Sequence, residues 1–270
     1  MTDLVRYSVK DQIAHIEINR PKQLNSIHPD IMVPLADLLR KADSDPDVQV
    51  MILSGVGDHF GAGYDLKANW GEIYGHQAIN ARAMLIDCLK LEITPWDCSK
   101  PVIAMVRGYC LAGSCELAMM CCVTFASENA KFGEPEIRFS TAPPAVVMPW
   151  IVGLKKAREL LYTGDIIDAH EALNIGMINR VYPDDELEVR TFNYAKRVAA
   201  ISPEGLQTTK AAINRGAEIA GFRQALHYGV ETGAILDATE TETYRKFKEV
   251  TKREGLSAAI RWRESHFEDK

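Results

Sequence analysis

Two short segments of the chain combine glycine with neighbours that could expose backbone N–H groups to a ligand. Residues 60–67 read FGAGYDLK, and residues 108–117 read GYCLAGSCEL. Glycine has no Cβ, so the main chain can approach a ligand closely at such points. Two converging N–H groups can form an oxyanion hole, which stabilises negative charge on a carbonyl oxygen. The pair of segments therefore predicts a site for chemistry at a carbonyl group.

Gly113 lies between a predicted strand and a predicted helix. The apolar run 101–106, bounded by proline and glycine, is typical of a buried strand, and 114–121 is an apolar helix-forming run. Gly113 is then expected at the helix start, where backbone N–H groups lack intrahelical partners and the helix dipole is positive. A glycine that only allows close packing of strand on helix is the alternative, and this residue alone does not choose between them.

Three glutamates are candidates for proton transfer. Glu116 falls in the first turn of the predicted helix among apolar neighbours, where a carboxylate is rarely buried without a partner or a task. A carboxylate on a solvated edge that only complements the helix dipole is the alternative. Glu134 and Glu136 flank Pro135 in a predicted turn, and the sequence does not show which of the two points into a site.

The elements that must position these residues alternate between strands and helices. Apolar periodicity predicts strands at 13–18, 48–53, 101–106 and 123–126, with amphipathic helices between and after them. This order indicates an α/β core with crossover connections. From about residue 185 the pattern is helical, with one helix opening at Pro203 and a longer one over 222–252. We expect residues 1–200 to form the core with the active site, and 201–270 to form a helical region used in oligomerisation.

Composition limits the class of protein. The chain has 270 residues, of which 47% are hydrophobic and 25% charged, and no apolar run approaches the roughly 18 residues of a membrane span. The net charge of −6 disfavours a nucleic-acid partner held through phosphates. Without a recognisable targeting segment, the cytoplasm is the expected location. The six cysteines match no metal-binding spacing and are expected to be reduced and buried: Cys88, Cys98, Cys110, Cys115, Cys121 and Cys122.

Five motifs in order resemble the crotonase (enoyl-CoA hydratase/isomerase) superfamily, and together they extend over nearly the whole chain. They are residues 20–26 (RPKQLNS), 60–67, 100–116, 132–136 (FGEPE) and 169–176 (AHEALNIG). The resemblance implies an α/β fold, a crotonase-like spiral of β-β-α turns with a helical C-terminal region. It also implies assembly as a homotrimer or a dimer of trimers.

The same resemblance implies a site. The N–H groups of Tyr64 and Gly113 would form the oxyanion hole for the carbonyl of a CoA thioester, with Tyr64 acting through its main chain. Glu116 and Glu136 occupy the positions of the two glutamates that handle water in enoyl-CoA hydratases. No metal or separate cofactor is expected, because CoA is part of the substrate. The residues expected to contact CoA are Lys22, Gln23, Leu24, Ala62, Gly63, Asp65, Leu66 and Lys67.

The activity implied is hydration of the C2–C3 double bond of an α,β-unsaturated acyl-CoA. Other reactions on a CoA thioester stay open: double-bond isomerisation, hydration with retro-aldol cleavage, and hydrolysis. An alternative of another class is a non-enzymatic or RNA-binding protein. The net charge and the lack of a dense lysine stripe on any predicted helix argue against that alternative.

The chain departs from the family pattern in two places. Ala112-Gly113-Ser114 replaces a triplet of glycines, and 141–150 (TAPPAVVMPW) replaces a glycine-rich segment near the acyl pocket of relatives. Pro144 and Trp150 are therefore expected in the acyl pocket. Proline has no N–H, so Pro144 cannot supply the donor that a glycine at this position gives to the catalytic water. The added apolar bulk predicts a preference for larger branched, cyclic or aromatic acyl groups over crotonyl.

Overall fold

In the computed structural model, residues 4–75 and 77–267 are described, and they form a mixed α/β structure. Nine strands are found in this part of the chain: β1 (Val5–Lys10), β2 (Ile13–Ile18), β3 (Val50–Gly55), β4 (Val102–Val106), β5 (Tyr109–Leu111), β6 (Val123–Ser127), β7 (Lys131–Gly133), β8 (Ile167–Asp168) and β9 (Arg180–Tyr182).

The larger sheet has the order β1-β2-β3-β4-β6-β9, in which β1 and β2 are antiparallel and the remaining pairs parallel. A second sheet has the order β5-β7-β8. The four strands predicted from the sequence are β2, β3, β4 and β6, and the α/β fold class is confirmed.

The helices lie between the strands and then dominate the C-terminal part. They are α1 (Pro29–Ser44), α2 (Trp70–Tyr74), α3 (Ala78–Glu92), α4 (Thr94–Asp97), α5 (Gly113–Met119), α6 (Met148–Val152), α7 (Leu154–Thr163), α8 (Ala169–Asn174), α9 (Leu187–Ala199), α10 (Pro203–Ile219), α11 (Phe222–Asp237), α12 (Glu242–Glu254) and α13 (Leu256–Glu264). Two 3₁₀ helices cover Pro21–Gln23 and Pro135–Phe139. No helix in the described residues combines the length and apolar character of a membrane span.

The single long helix predicted over 222–252 is wrong. The chain forms α11 and α12 there, separated at 238–241. Thr241 has an extended backbone, and its hydroxyl oxygen accepts a hydrogen bond from the N–H of Tyr244 at 3.1 Å. A threonine in this position caps a new helix rather than continuing the old one.

The central strands are buried on both faces. Along β3, Met51 and Leu53 pack into the main core, whereas Val50 and Ile52 pack on the other side against α9. Continuous apolar runs in these strands follow from this double burial. The carboxyl ends of the strands lead into the loops and short helices that carry the candidate site.

The prediction that all six cysteines are buried is confirmed at four positions and wrong at two. Cys88, Cys98, Cys110 and Cys115 are buried and free, Cys121 is partly exposed, and Cys122 is exposed. Cys122 follows the end of α5, where its own N–H bonds to the carbonyl of Val102 and its Sγ accepts from the N–H of that residue at 3.4 Å. The turn that leads the chain into β6 therefore brings this side chain to the surface.

Candidate active site

Gly113 is the first residue of α5, as predicted. Its predecessor Ala112 has φ of 55°, a conformation that favours glycine. A Cβ on Gly113 would lie 2.3 Å from the ring of Tyr64 and 3.0 Å from Oε1 of Glu92. Only glycine therefore allows the start of α5 to lie this close to Tyr64 and Glu92.

The loop that carries Tyr64 is held against α5 by backbone and hydroxyl groups. The N–H of Ile27 donates to the carbonyl of Gly63 at 2.8 Å, and the N–H of Asp65 donates to the carbonyl of Ile27 at 2.9 Å. The N–H of Gly63 donates to Oγ of Ser114 at 3.1 Å. Ser114, which replaces a family glycine, thus ties the two segments together.

The N–H groups of Tyr64 and Gly113 have no backbone acceptor among the contacts between elements in the described residues. A backbone donor left unpaired needs water or a ligand as its acceptor. These two N–H groups belong to segments in direct contact, because the Tyr64 ring lies against Gly113. They are available to a ligand oxygen at the junction of the loop and α5.

Four buried glutamates form a cluster beside this junction. Glu116 lies on α5, Glu92 at the end of α3, and Glu134 and Glu136 at the start of the 3₁₀ helix that follows β7. The residue exposures range from 0% for Glu92 and Glu116 to 8% for Glu136. Six of their eight carboxyl oxygens have no hydrogen-bond partner within the described part of the chain. Buried polar atoms without partners are rare, and such a concentration indicates a functional site.

Burial changes the protonation of every member of this cluster. Desolvation raises the pKa of Glu92 and of Glu136 to about 8. It also raises the pKa of Glu116 and of Glu134 well above the usual value, and the neighbouring carboxylates add to that effect. A cluster of this kind holds protons at neutral pH, so it can offer both a proton donor and a proton acceptor.

Glu116 is fixed by the segment that departs from the family pattern. Its Oε1 accepts a hydrogen bond from the N–H of Ala145 at 2.6 Å. Pro144 is buried directly before this donor and contributes no N–H of its own. The substituted segment therefore orients a carboxyl group through the residue that follows the proline.

Among the described residues, Arg263 of α13 is the cation that acts on Glu136. Its charge lowers the pKa of Glu136, against the larger opposing effect of burial. The guanidinium stacks on the ring of Phe139 at 3.4 Å and pairs with Glu264, while Nε and Nη1 find no partner in the described residues. Helix α13, in the C-terminal region, thus supplies a positive charge to the glutamate cluster.

The residues predicted to contact CoA lie in two adjoining segments. Among them Lys22, Leu24, Leu66 and Lys67 are exposed, and the N–H of Ala62 donates to the carbonyl of Leu24 at 3.0 Å. Gln23 is exposed in the same short 3₁₀ turn. The structure therefore brings these segments together at the surface.

Asp65 differs from its neighbours in this group because it points inward. Its carboxylate forms an ion pair with Arg20 at 2.8 Å and accepts from the N–H of Lys67 at 2.9 Å. These contacts hold the pKa of Asp65 below its usual value, despite the opposing effect of burial. Asp65 stabilises the loop and is not presented to a ligand.

Trp150 lies apart from the glutamates. Its ring packs edge-on against Phe222 at 5.4 Å, and it lines a largely apolar groove of about 610 Å³ between α6 and α11, together with Val146, Leu154 and Tyr228. None of the four glutamates lines this groove. The structure thus places Pro144 next to the residue that holds Glu116, and Trp150 in a separate groove.

Sequence reasoning missed Glu92 and Arg263. Glu92 continues the buried face of α3 four residues after Cys88, and Arg263 follows the buried Ala259 at the same spacing on α13. A charged residue in register with a buried helical face is the signal that could have found both. Among the described residues, no group of three or more His, Cys, Asp and Glu side chains is arranged to hold a metal ion.

Replacing Glu134 by glutamine tests how much the buried carboxyl lowers the free energy of unfolding as the pH rises. A carboxyl with a raised pKa holds a proton in the folded state that the unfolded state has lost, so the free energy of unfolding falls as pH rises above about 4.5. For Glu134→Gln, we expect the stability relative to wild type to increase as the pH rises above about 4.5, by up to about 1.4 kcal/mol per pH unit. Urea unfolding at several pH values measures this difference.

The matched control is Glu128→Gln, which changes an exposed glutamate just after β6. It should keep the wild-type dependence of stability on pH. If Glu134→Gln also keeps that dependence, the Glu134 carboxyl is not protonated preferentially in the folded protein.

Comparisons with known proteins agree with the geometry. The chain matches the family described as enoyl-CoA hydratase/isomerase over residues 8–270. It is 31% identical to the crotonyl-CoA hydratase of Syntrophomonas wolfei over 262 residues, which are 96% of this chain and 95% of that protein. It is 34% identical to the short-chain-enoyl-CoA hydratase of Clostridium acetobutylicum over 209 residues, or 76% and 78% of the two chains.

Solved structures show the same relationship. The crystal structure of an enoyl-CoA hydratase/isomerase from Xanthobacter autotrophicus Py2 superposes with a TM-score of 0.95 at 36% identity, covering 98% of this chain and 99% of the other. The enoyl-CoA hydratase of Mycobacterium smegmatis superposes with a TM-score of 0.91 at 27% identity, covering 98% and 94%. With its fold, its motifs and its full-length match in agreement, the chain belongs to the enoyl-CoA hydratase/isomerase family.

Proposed function

We propose that the protein is an enoyl-CoA hydratase, which adds water across the C2–C3 double bond of an α,β-unsaturated acyl-CoA. The observation that carries this proposal is the position of Glu116 and Glu136, two buried carboxyls with unpartnered oxygens, next to the free N–H groups of Tyr64 and Gly113. The names of the hydratases to which the chain is similar support the same reaction.

In this mechanism the thioester oxygen accepts hydrogen bonds from the N–H groups of Tyr64 and Gly113. These donors stabilise the enolate that forms when the water oxygen bonds to C3, and each is worth about 10²–10³ in rate. The electron pair of the double bond moves toward C2 and the thioester. The carbonyl then re-forms as C2 takes up a proton.

Two carboxyl groups move the protons. One ionised carboxylate of the pair Glu116 and Glu136 accepts a proton from the attacking water, and a protonated carboxyl donates a proton to C2. The raised pKa values make both states available near neutral pH. The hydrogen bond from Ala145 fixes Glu116, whereas the positive charge of Arg263 limits how far the pKa of Glu136 rises.

The exposed segments around Lys22 and Lys67 provide the proposed contacts to CoA. Lys67 lies in the loop that carries Tyr64, and Lys22 lies in the adjoining 3₁₀ turn. Both are exposed and can bind the phosphates of the nucleotide. In this proposal CoA enters as part of the substrate, and no further cofactor takes part.

The test is direct assay of the purified protein with a panel of enoyl-CoA thioesters. Loss of the enoyl absorbance with a product heavier by one water supports hydration. A product of unchanged mass would show isomerisation instead, and free CoA would show hydrolysis. Failure to turn over any enoyl-CoA would contradict the proposed function.

The acyl preference can be measured in the same assay. Because Pro144 has no N–H for the catalytic water, we expect a low kcat/KM for crotonyl-CoA and a higher value for larger branched, cyclic or aromatic acyl groups. Their additional binding energy can be used to position the double bond. A crotonyl value near the diffusional ceiling of about 10⁸ M⁻¹s⁻¹ would contradict this prediction.

Assembly as a homotrimer or a dimer of trimers is part of the proposal. In its support, helix α11 leaves the large apolar side chains of Tyr228 and Ile235 about 70% exposed, which a second copy could cover. Light scattering coupled to size-exclusion chromatography measures the mass. A stable monomer would contradict this part.

A further inference from the structure

Glu92 is a third carboxyl in direct contact with the proposed machinery, and nothing in the proposed hydration uses it. It ends helix α3 and is completely buried. The hydroxyl of Tyr64 donates a hydrogen bond to its Oε1 at 2.6 Å. Oε1 also lies 3.0 Å from the position of a Cβ on Gly113. The same two residues whose N–H groups form the proposed oxyanion hole therefore surround this carboxyl.

Tyr64 is itself held firmly in this position. Its ring packs edge-on against Trp70 at 5.7 Å, and the indole N–H of Trp70 donates to the carbonyl of Asp65 at 2.9 Å. On the other side the ring touches Gly113. The hydroxyl group therefore points at Glu92 from a rigid frame.

Glu92 also faces Glu116. Oε1 of Glu92 lies 3.0 Å from the position of a Cβ on Gly113, and Glu116 lies three residues later on the same helix. In addition to burial, the charge of Glu92 raises the pKa of Glu116. Two ionised carboxylates offer only acceptors, so a hydrogen bond between them requires a proton on one of them. Without such a proton, Oε2 of Glu92 and Oε2 of Glu116 are both buried and unpartnered among the described residues. A single shared proton gives each carboxyl a partner.

We propose that Glu92, held by the hydroxyl of Tyr64, is a positioning residue that shares one proton with Glu116 and so sets the protonation of Glu116 when substrate binds. The role of Glu92 in turnover rests on the proposed function, whereas the sharing of a proton with Glu116 does not. Tyr64 donates to Glu92 alone of the two, so it stabilises negative charge on Glu92 and leaves the shared proton on Glu116.

The charged and titratable groups that face Glu92 come from four elements. They are Tyr64 from the loop before α2, Cys88 from α3 itself, Glu116 from α5, and Glu134 and Glu136 from the start of the 3₁₀ helix. Burial and the charge of Glu92 keep the pKa of the Cys88 thiol well above its usual value, so the thiol stays neutral at neutral pH. Beyond the effect of burial, the pKa of Glu92 is therefore lowered by the hydrogen bond from Tyr64 and raised by the charge of Glu136.

The experiment is a pH titration of the carboxyl groups in the substrate-free protein. It is monitored by NMR of glutamate labelled with ¹³C at the carboxyl carbon. The signal of Glu116 is identified by its loss in Glu116→Gln. Glu92→Gln removes a negative charge and places an amide donor against Glu116, so the midpoint of Glu116 is expected to fall by about one pH unit or more. Tyr64→Phe should lower it by less, because Glu92 remains.

The matched control is a second tyrosine–carboxylate pair, whose carboxylate also lies on α3. The hydroxyl of Tyr74 donates to Oδ2 of Asp87 at 3.0 Å, outside the glutamate cluster. Tyr74→Phe and Asp87→Asn should leave the Glu116 midpoint unchanged. An unchanged midpoint in Glu92→Gln, or in Tyr64→Phe if the first variant fails to fold, would overturn the inference.

A second measurement connects the pair to turnover. In Glu92→Gln the limb of the kcat–pH profile that belongs to Glu116 is expected to move to lower pH by the same amount as the NMR midpoint. A residue with a purely structural role would lower kcat without moving the limb. If wild-type protein hydrates no enoyl-CoA, the proposed function fails, while the NMR titration still decides whether the proton is shared.

Discussion

Replacing either Glu116 or Glu136 by glutamine is expected to lower kcat for an enoyl-CoA by about 10²–10⁴ while leaving CoA binding nearly intact. Glutamine keeps the shape of the side chain but neither accepts nor donates a proton at neutral pH. Both carboxyls are buried beside the free N–H groups of the site, and the segments proposed to contact CoA are exposed at the surface. The loss should therefore appear in kcat rather than in KM.

Steady-state kinetics of the two variants, with CoA binding measured by calorimetry, test this result. Glu128→Gln serves as the control, because this exposed glutamate lies outside the cluster. A Glu116 or Glu136 variant that keeps near wild-type hydratase activity would show that the carboxyl it lacks has no catalytic role.

Gly113→Pro is expected to lower turnover of any CoA thioester by at least about 10²-fold, because it deletes one donor of the proposed oxyanion hole. Proline is tolerated at the first position of a helix, where the N–H has no intrahelical partner, so α5 can still form. Loss of one such donor costs about 10²–10³ in rate. The measurement is kcat/KM, with circular dichroism to monitor folding.

The comparison variant is Gly113→Ala. Both variants add a Cβ against the ring of Tyr64, but alanine keeps the N–H. We therefore expect Gly113→Pro to be slower than Gly113→Ala by at least about 10²-fold. Equal rates in the two folded variants would mean that steric contact with Tyr64 matters and the N–H does not.

Local patterns predict the parts of this fold that depend on neighbours in sequence. Apolar runs bounded by proline and glycine gave β4, and the change to a helix-forming run placed Gly113 and Glu116 correctly at the start of α5. The break between α11 and α12 was missed because neither glycine nor proline marks residues 238–241. There the capping hydroxyl of Thr241 outweighs periodicity.

The composition of the site depends on contacts between distant parts of the chain. The apolar neighbours of Glu116 make it a candidate, whereas Glu136 is preferred to Glu134 only through resemblance. Glu92 and Arg263 join them from helices more than 150 residues apart. Each is in register with a buried helical face, which indicates burial but not a position in the site. Their place beside Glu116 and Glu136 follows from the packing of α3 and α13 around the core, which no local pattern specifies.

Arg263 acts on the glutamate cluster but is synthesised after all four glutamates. A chain made as far as residue 200 already contains all four glutamates but lacks the cation that acts on Glu136. At about 5–20 residues per second, the ribosome needs roughly 3–13 s more to add α13. If the core folds before α13 is made, its glutamates are without the charge of Arg263 during that time. We expect the site to acquire its final electrostatic state only when the last helix docks.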